Sequence, residues 1–226
     1  MIKHHPTSEL IQSFVKGDLP ASLSAGIAIH ADMCQVCQQK IGQLTEQAAE
    51  ISFEEAFLDR FIVDDQGGNI PLINFDQMIE GITETNELEL QDTIIEKSIT
   101  FKNKTFKLPA ILNSMPLGKT AQFGKLARAA FQLNENEIHT NLLHIEPGGG
   151  VPEHTHKGFE LTVLLAGSFH DDKGRYEKGD FIMLDGTNIH QPISQNGCLC
   201  YTVANDALHF TQGLNKLLNP IGSFIY

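Results

Sequence analysis

One histidine and two cysteines near the start of this chain of 226 residues form a compact metal-binding pattern. They are spaced as His30-x3-Cys34-x2-Cys37. On a single α-helix these positions are i, i+4 and i+7, so their side chains are predicted to share one face. One imidazole and two thiolates suit Zn²⁺, and a structural zinc takes four ligands. His4 or His5 would supply the fourth, and a closed set of four predicts a structural rather than a catalytic zinc.

A second group of metal-ligating residues lies in the later part of the chain. It consists of His154-x-His156-x3-Glu160, with His190 following 30 residues after the glutamate. Histidines two positions apart on a β-strand point to the same side of the sheet. Neutral imidazoles and a carboxylate bind divalent transition metals, so we predict a second metal site inside a small barrel.

The elements that must position these groups differ along the chain. In the first part, apolar residues recur at helical spacing, with Thr7 or Ser8 as the cap of a first helix and Gly17 at its end. Pro20 is predicted to open a longer helix that carries the zinc pattern and continues to Leu44.

A polar segment marks the expected domain boundary. We predict a helical domain at residues 1–85, a linker at 86–92 and a β-barrel domain at 93–226. After the boundary, apolar and polar residues alternate around Asn103-Lys104 as in a hairpin, and many glycine-punctuated strands follow. Short strands at regular spacing are typical of a sandwich or barrel.

The net charge of −12 is concentrated in the first part of the chain. Residues 1–90 hold four Lys/Arg and fifteen Asp/Glu, which disfavours nucleic acid and suits a basic protein partner, although a solvated acidic surface is the simpler alternative. No apolar stretch reaches the length of a membrane span, and no signal peptide is evident. The closely spaced cysteines indicate thiols and metal in the cytoplasm, and the pair Cys198-x-Cys200 is typical of small buried strand residues.

The first metal pattern resembles a known family. A HxxxCxxC helix with an upstream histidine is similar to the zinc-binding anti-sigma domain. The sequence IKHH at residues 2–5 and the separation from His5 to His30 resemble, more specifically, the ChrR-type anti-sigma factors. The resemblance implies that His5, rather than His4, completes the zinc-binding set.

The second metal pattern carries a further resemblance. The run from Gly148 to Gly167 matches the first cupin motif in full. The second cupin motif is less complete, with Gly179 and His190 in place but without the usual proline and later asparagine. The wider segment 143–200 resembles the ChrR cupin-like domain, so the likeness extends over nearly the whole chain.

Together these resemblances imply a two-domain α + β protein, in which a small zinc-binding helical bundle precedes a cupin barrel of the jelly-roll (double-stranded β-helix) type. The implied function is a non-enzymatic anti-sigma factor that binds and inhibits an extracytoplasmic-function sigma factor and releases it under oxidative stress, particularly singlet oxygen. Two zinc ions are implied, although the barrel metal is open to another divalent transition metal. Neither direct nucleic-acid binding nor membrane attachment is expected, and self-association is left open. The alternative is a metal-dependent, dioxygenase-like cupin enzyme with an accessory helical domain.

Overall fold

The helices come first along the chain in this computed structural model, which describes residues 2–62, 75–83, 96–206 and 209–210. Their bounds are α1 Ser8–Lys16, α2 Ala21–Met33, α3 Gln35–Ile62 and α4 Phe75–Thr83. The predicted ends of the first helix are confirmed: the Thr7 hydroxyl accepts the Leu10 N–H at 3.3 Å, and Gly17 ends α1 in a left-handed conformation with φ of 76°. Among the described residues, no helix is both long and apolar enough to cross a membrane.

The predicted long helix is interrupted at Cys34, which corrects the expectation of a single helix from Pro20 to Leu44. Cys34 has an extended backbone, with φ −119° and ψ 99°, between the end of α2 and the start of α3. An unbroken helix would separate His30 from Cys37 by about 10 Å along its axis, too far for one ion. The break at Cys34 turns the chain so that the three side chains converge on one point. Three positions along one face of an unbroken helix could not converge in this way.

The strands follow the helices, and a short 3₁₀ helix, Ala110–Ser114, lies between the second and third strands. Their bounds are β1 Ser98–Phe101, β2 Lys104–Lys107, β3 Leu117–Phe123, β4 Leu126–Phe131, β5 His139–Ile145, β6 Gly149–Gly150, β7 His154–Thr155, β8 Phe159–His170, β9 Arg175–Glu177, β10 Phe181–Asp185, β11 Ile193–Ser194, β12 Cys198–Ala204 and β13 His209–Phe210. The predicted hairpin is present as β1–β2, with its turn at Lys102–Asn103, one residue earlier than expected.

The main sheet is antiparallel and curls around β8. Its strand order is β3-β4-β5-β12-β8-β11-β6, and β9 and β10 also pair with β8. Every residue of β12 is buried, because this strand lies between β5 and β8 at the centre of the sheet. Helices followed by a curled antiparallel sheet confirm the predicted cupin architecture.

The second helix packs directly on the barrel. Its apolar side chains share one hydrophobic core with those of β8 and β12. Gly26 provides the closest approach, since a Cβ atom at this position would lie 2.7 Å from Leu161 Cδ2. The Tyr201 hydroxyl donates to the Ser22 carbonyl oxygen at 2.9 Å, and Glu135 accepts the Ser22 N–H at 3.1 Å. The predicted linker at residues 86–92 lies outside the described residues, so the exact domain division stays a prediction.

Candidate metal centres

The predicted zinc ligands lie together where α2 meets α3. His5, His30, Cys34 and Cys37, called here the helix-junction group, have ligand atoms that all lie within 4.8 Å of one another. His30 Nε2 is 3.4 Å from His5 Nδ1 and 3.3 Å from Cys37 Sγ. His5 Nδ1 is also 3.4 Å from Cys34 Sγ and 3.5 Å from Cys37 Sγ. His5, rather than His4, therefore lies with the other three side chains of the group.

These separations match a tetrahedral zinc shell. Zn–N bonds of about 2.0–2.1 Å and Zn–S bonds of about 2.3 Å give tetrahedron edges of about 3.4 Å between nitrogens and about 3.5 Å between nitrogen and sulfur. Burial and the neighbouring Cys34 thiol raise the pKa of Cys37 to about 11, so a nearby cation would be needed to favour the Cys37 thiolate near pH 7. The donor types and their spacing both fit Zn²⁺.

Two of the four ligands are held by one turn of the barrel. His30 Nδ1 donates to the Gly179 carbonyl oxygen at 2.7 Å, which fixes the ring so that Nε2 faces the other ligands. The chain before His5 pairs with the next residues of the same turn: Asp180 Oδ1 accepts the N–H groups of Lys3 and His4 at 2.9 and 3.1 Å. Phe181 N–H donates to the His4 carbonyl oxygen at 3.0 Å. The helix-junction group is thus assembled against the barrel.

The second predicted group converges inside the barrel. His154, His156, Glu160 and His190, called here the barrel group, are all buried, with ligand atoms within 4.8 Å of one another. Glu160 Oε2 lies 3.1 Å from His156 Nε2 and 3.5 Å from His190 Nε2. An isolated β-bridge between His154 and His190 brings these two strand segments side by side.

Local contacts set the tautomer of His154 and the protonation of His154 and Glu160 in the barrel group. His154 Nδ1 donates to the Pro152 carbonyl oxygen at 2.7 Å, which leaves Nε2 with its lone pair. Burial lowers the pKa of His154 to about 3, so this imidazole is neutral near pH 7. Burial alone would raise the pKa of Glu160, but hydrogen bonding and charge from the surrounding imidazoles hold it below its usual value. Three imidazoles beside a carboxylate form a donor set that fits a divalent transition metal.

The cavity beside the barrel group is small and mostly apolar. Its volume is about 30 Å³, room for one or two water molecules. It is lined by Leu143, Ile145, Val151, His154, Glu160, Thr162, Phe169, His190, Pro192, Cys200 and Thr202. Cys200 Sγ is 4.0 Å from Cys198 Sγ, and both side chains are buried, as the strand spacing predicts.

The motif spacing did not identify the residues that support the two groups. Asp171 faces His190 at 3.5 Å between Oδ2 and Nδ1, and Asp180 orders the chain before His5. Both contacts join positions remote in sequence. The only available signal was their place within segments that resemble the ChrR cupin-like domain, 171–176 and 179–181.

Comparison with known proteins agrees with these features. Residues 115–207 match the family described as the ChrR cupin-like domain. The chain is 26% identical over 227 residues to anti-sigma-E factor ChrR of Cereibacter sphaeroides, covering 97% of each protein. It shares the fold seen in the crystal structure of Rhodobacter sphaeroides SigE in complex with the anti-sigma ChrR, with a TM-score of 0.59, 21% identity, and coverage of 90% of this chain and 100% of that one. The resemblance to ChrR-type anti-sigma factors is therefore confirmed along nearly the whole chain.

Proposed function

We propose that this chain is a zinc-dependent anti-sigma factor that binds an extracytoplasmic-function sigma factor and keeps it from RNA polymerase. The observation that carries the proposal is the likeness to anti-sigma-E factor ChrR along 97% of the chain, together with the four converging side chains of the helix-junction group. Inhibition of this kind is competition by binding and requires no catalytic step. The small cavity beside the barrel group supports a regulator, because it has no room for an organic substrate.

The helix-junction group would hold a structural zinc. Four protein ligands fill a tetrahedral shell and leave no open position for a substrate. Such an ion would stabilise the sharp turn at Cys34 and thereby fix the direction in which α3 leaves the barrel.

The partner would dock on the helices, where large apolar side chains face solvent. On α3 the exposed fractions are 69% for Val36, 58% for Ile51 and 76% for Phe53. On α4, Ile79 and Ile82 are one helical turn apart and are 57% and 68% exposed. Exposed apolar residues on an acidic segment suit a basic partner with an apolar groove.

Co-expression with an extracytoplasmic-function sigma factor of the same organism, followed by pull-down, tests the proposal. Phe53→Asp should weaken binding about tenfold or more, as expected for loss of an apolar anchor. Phe123→Asp is the matched control, because Phe123 is 54% exposed on the barrel strand β3. Association should also slow as salt rises. Absence of a complex with the wild-type chain at low salt would refute the proposal.

The barrel group would hold a second metal, zinc or another divalent transition metal, that serves the release of the sigma factor under oxidative stress such as singlet oxygen. His154→Ala should remove about one metal equivalent, since it deletes one of four ligands. His139→Ala is the control, because His139 is exposed on the same barrel. Elemental analysis gives the metal content, and a sigma-dependent reporter measures release. Normal induction of the His154→Ala protein by singlet oxygen would exclude the barrel metal from signalling.

A further inference from the structure

The two metal groups are joined by a continuous line of side chains across the barrel wall. It begins at His190 of the barrel group. Asp171 Oδ2 lies 3.5 Å from His190 Nδ1, on the opposite side of the ring from Glu160. A carboxylate behind a metal-ligating histidine orients the ring and increases its basicity. Asp171 therefore has the position of a residue that sets how His190 faces the barrel group.

Asp171 is itself held rigidly. Its side chain is 2% exposed, and Oδ1 accepts the N–H groups of Lys173 and Gly174 at 2.9 and 3.1 Å within the β8–β9 turn. Burial and, next, the charge of the nearby Asp171 carboxylate raise the pKa of Tyr176 to about 12, so the two side chains interact electrostatically. Tyr176 is buried and packs on Phe169, which lines the cavity beside the barrel group. Both side chains are buried, so a displacement of Asp171 is expected to move Tyr176 as well.

Tyr176 contacts the chain that supplies the first zinc ligand. Its ring lies 4.8 Å from the ring of His4, centroid to centroid, at 52°. His4 is followed directly by His5, whose Nδ1 faces both thiols of the helix-junction group. The backbone of His4 is also bonded to Asp180 and Phe181, in the turn that follows the strand of Tyr176.

We propose that Asp171, Tyr176 and His4 act as positioning residues that transmit the placement of His190 in the barrel group to His5 in the helix-junction group. This inference rests on the proposed function, because it supplies the route by which a change at the barrel metal alters the zinc-holding helices. None of the three residues lines the small cavity beside the barrel group. Their role is to connect two sites that share no ligand.

Asp171, Tyr176 and His4 are together called here the bridge. A double-mutant cycle in the full chain tests whether they couple the two groups. The readout is the rate at which iodoacetamide alkylates Cys34 and Cys37, followed by peptide mass spectrometry, which separates them from Cys198 and Cys200. His154→Ala disturbs the barrel group without touching the bridge. It should speed alkylation of the two N-terminal cysteines about tenfold, within the usual range for coupled sites. With Tyr176→Phe in both proteins, the same comparison should give a change below about twofold.

Tyr201→Phe is the matched control. It removes one buried hydroxyl that also bonds a helix to the barrel, through Ser22, but lies off the line from His190. The tenfold effect of His154→Ala should survive in this background. A second bridge variant, His4→Leu, removes the ring contact while leaving the backbone bonds of residue 4, and should behave as Tyr176→Phe does.

Several results would overturn the bridge. These are an unchanged effect of His154→Ala in both bridge variants, an equal loss in Tyr201→Phe, or no effect of His154→Ala in the otherwise wild-type chain. The alkylation assay contains no sigma factor, so its failure is distinct from failure of the proposed function. Elemental analysis of each protein identifies whether a variant altered the metal content of the helix-junction group itself.

Discussion

His30 donates through Nδ1 to the carbonyl oxygen of Gly179 at 2.7 Å, across 149 positions of sequence. This hydrogen bond joins a side chain of the helix-junction group, on α2, to a turn of the barrel. A metal-ligating imidazole depends on such an outer contact for its tautomer and orientation. The stability of the helix-junction group consequently depends partly on the barrel. A mutation in the helices or in the barrel should therefore change the stability of both.

Replacing both thiols of the helix-junction group should remove its metal. In Cys34→Ser/Cys37→Ser we expect about one zinc fewer per chain and partial loss of helix content, because two of four ligands are absent. Elemental analysis and circular dichroism measure the two effects. Cys198→Ser, a buried cysteine of the barrel, should retain the zinc of the helix-junction group. Unchanged metal content in the double variant would contradict the assignment.

Adding one methyl group where α2 packs on the barrel should lower the stability of the protein. Gly26→Ala would place a Cβ atom 2.7 Å from Leu161 Cδ2, and Leu161 is fully buried. Overpacking costs about 1–3 kcal/mol, against a gain of up to about 1 kcal/mol in helix propensity, so a net loss of about 1 kcal/mol is expected.

Gly42→Ala supplies the comparison for that substitution. Gly42 is exposed on α3, and nothing lies within 4 Å of an added Cβ atom. The free energy of unfolding should therefore rise by up to about 1 kcal/mol. Urea denaturation measures both variants, and equal stabilisation of the two would mean that α2 does not pack on β8 as described.

Removing the Asp180 carboxylate should release the start of the chain. Asp180 accepts the N–H groups of Lys3, His4 and Glu177 at 2.9, 3.1 and 2.8 Å. In Asp180→Ala, amide hydrogen exchange at Lys3 and His4 should become about tenfold faster or more, because local opening no longer breaks these bonds. Asp172→Ala, at an exposed position of the neighbouring turn, should leave that exchange unchanged.

Protonation of His144 should destabilise the fold in mild acid. Its ring is buried and stacks on Phe101 at 5.3 Å with an interplanar angle of 6°. Burial lowers the pKa of His144 below its usual value, and the charge of Glu146 only partly opposes this shift. The unfolded chain therefore binds this proton more tightly, so stability is full above the unfolded pKa of about 6.5 and falls as the pH drops below it.

Urea midpoints of the His154→Ala protein at about pH 7.5 and about pH 5.5 test this effect without titration of a bound barrel metal. Adding His144→Phe should reduce the loss of stability between the two pH values. Adding His139→Phe, at an exposed site, should not alter it. An identical acid sensitivity with and without His144 would disprove the prediction.

The convergence of His30, Cys34 and Cys37 could be predicted from their residue types and spacing. Their role as metal ligands stays a prediction, and the helix on which they were placed is broken at Cys34. No glycine or proline marks that break, and the extended backbone of Cys34 makes sense only once the side chains converge. The spacing of apolar residues predicts regular helices, but it cannot predict a helix break whose only purpose is to bring three side chains together.

The contacts between helices and barrel were not predictable for a different reason. Asp180 reaches Lys3 across 177 positions, and nothing in either local sequence specifies the other. Such pairings depend on how α2 seats on β8, which involves Gly26 and Leu161 rather than any polar motif.

The pairing of the chain start with residues 179–181 has a consequence for the order of synthesis. All four side chains of the helix-junction group have been made once Cys37 is in place, but their support emerges only with Phe181. A nascent chain therefore carries its thiols unsupported while most of the barrel is still being translated, and domains complete their folding in the order in which they emerge. The helix-junction group therefore gains its contacts with the barrel late, only after residues 179–181 have been made.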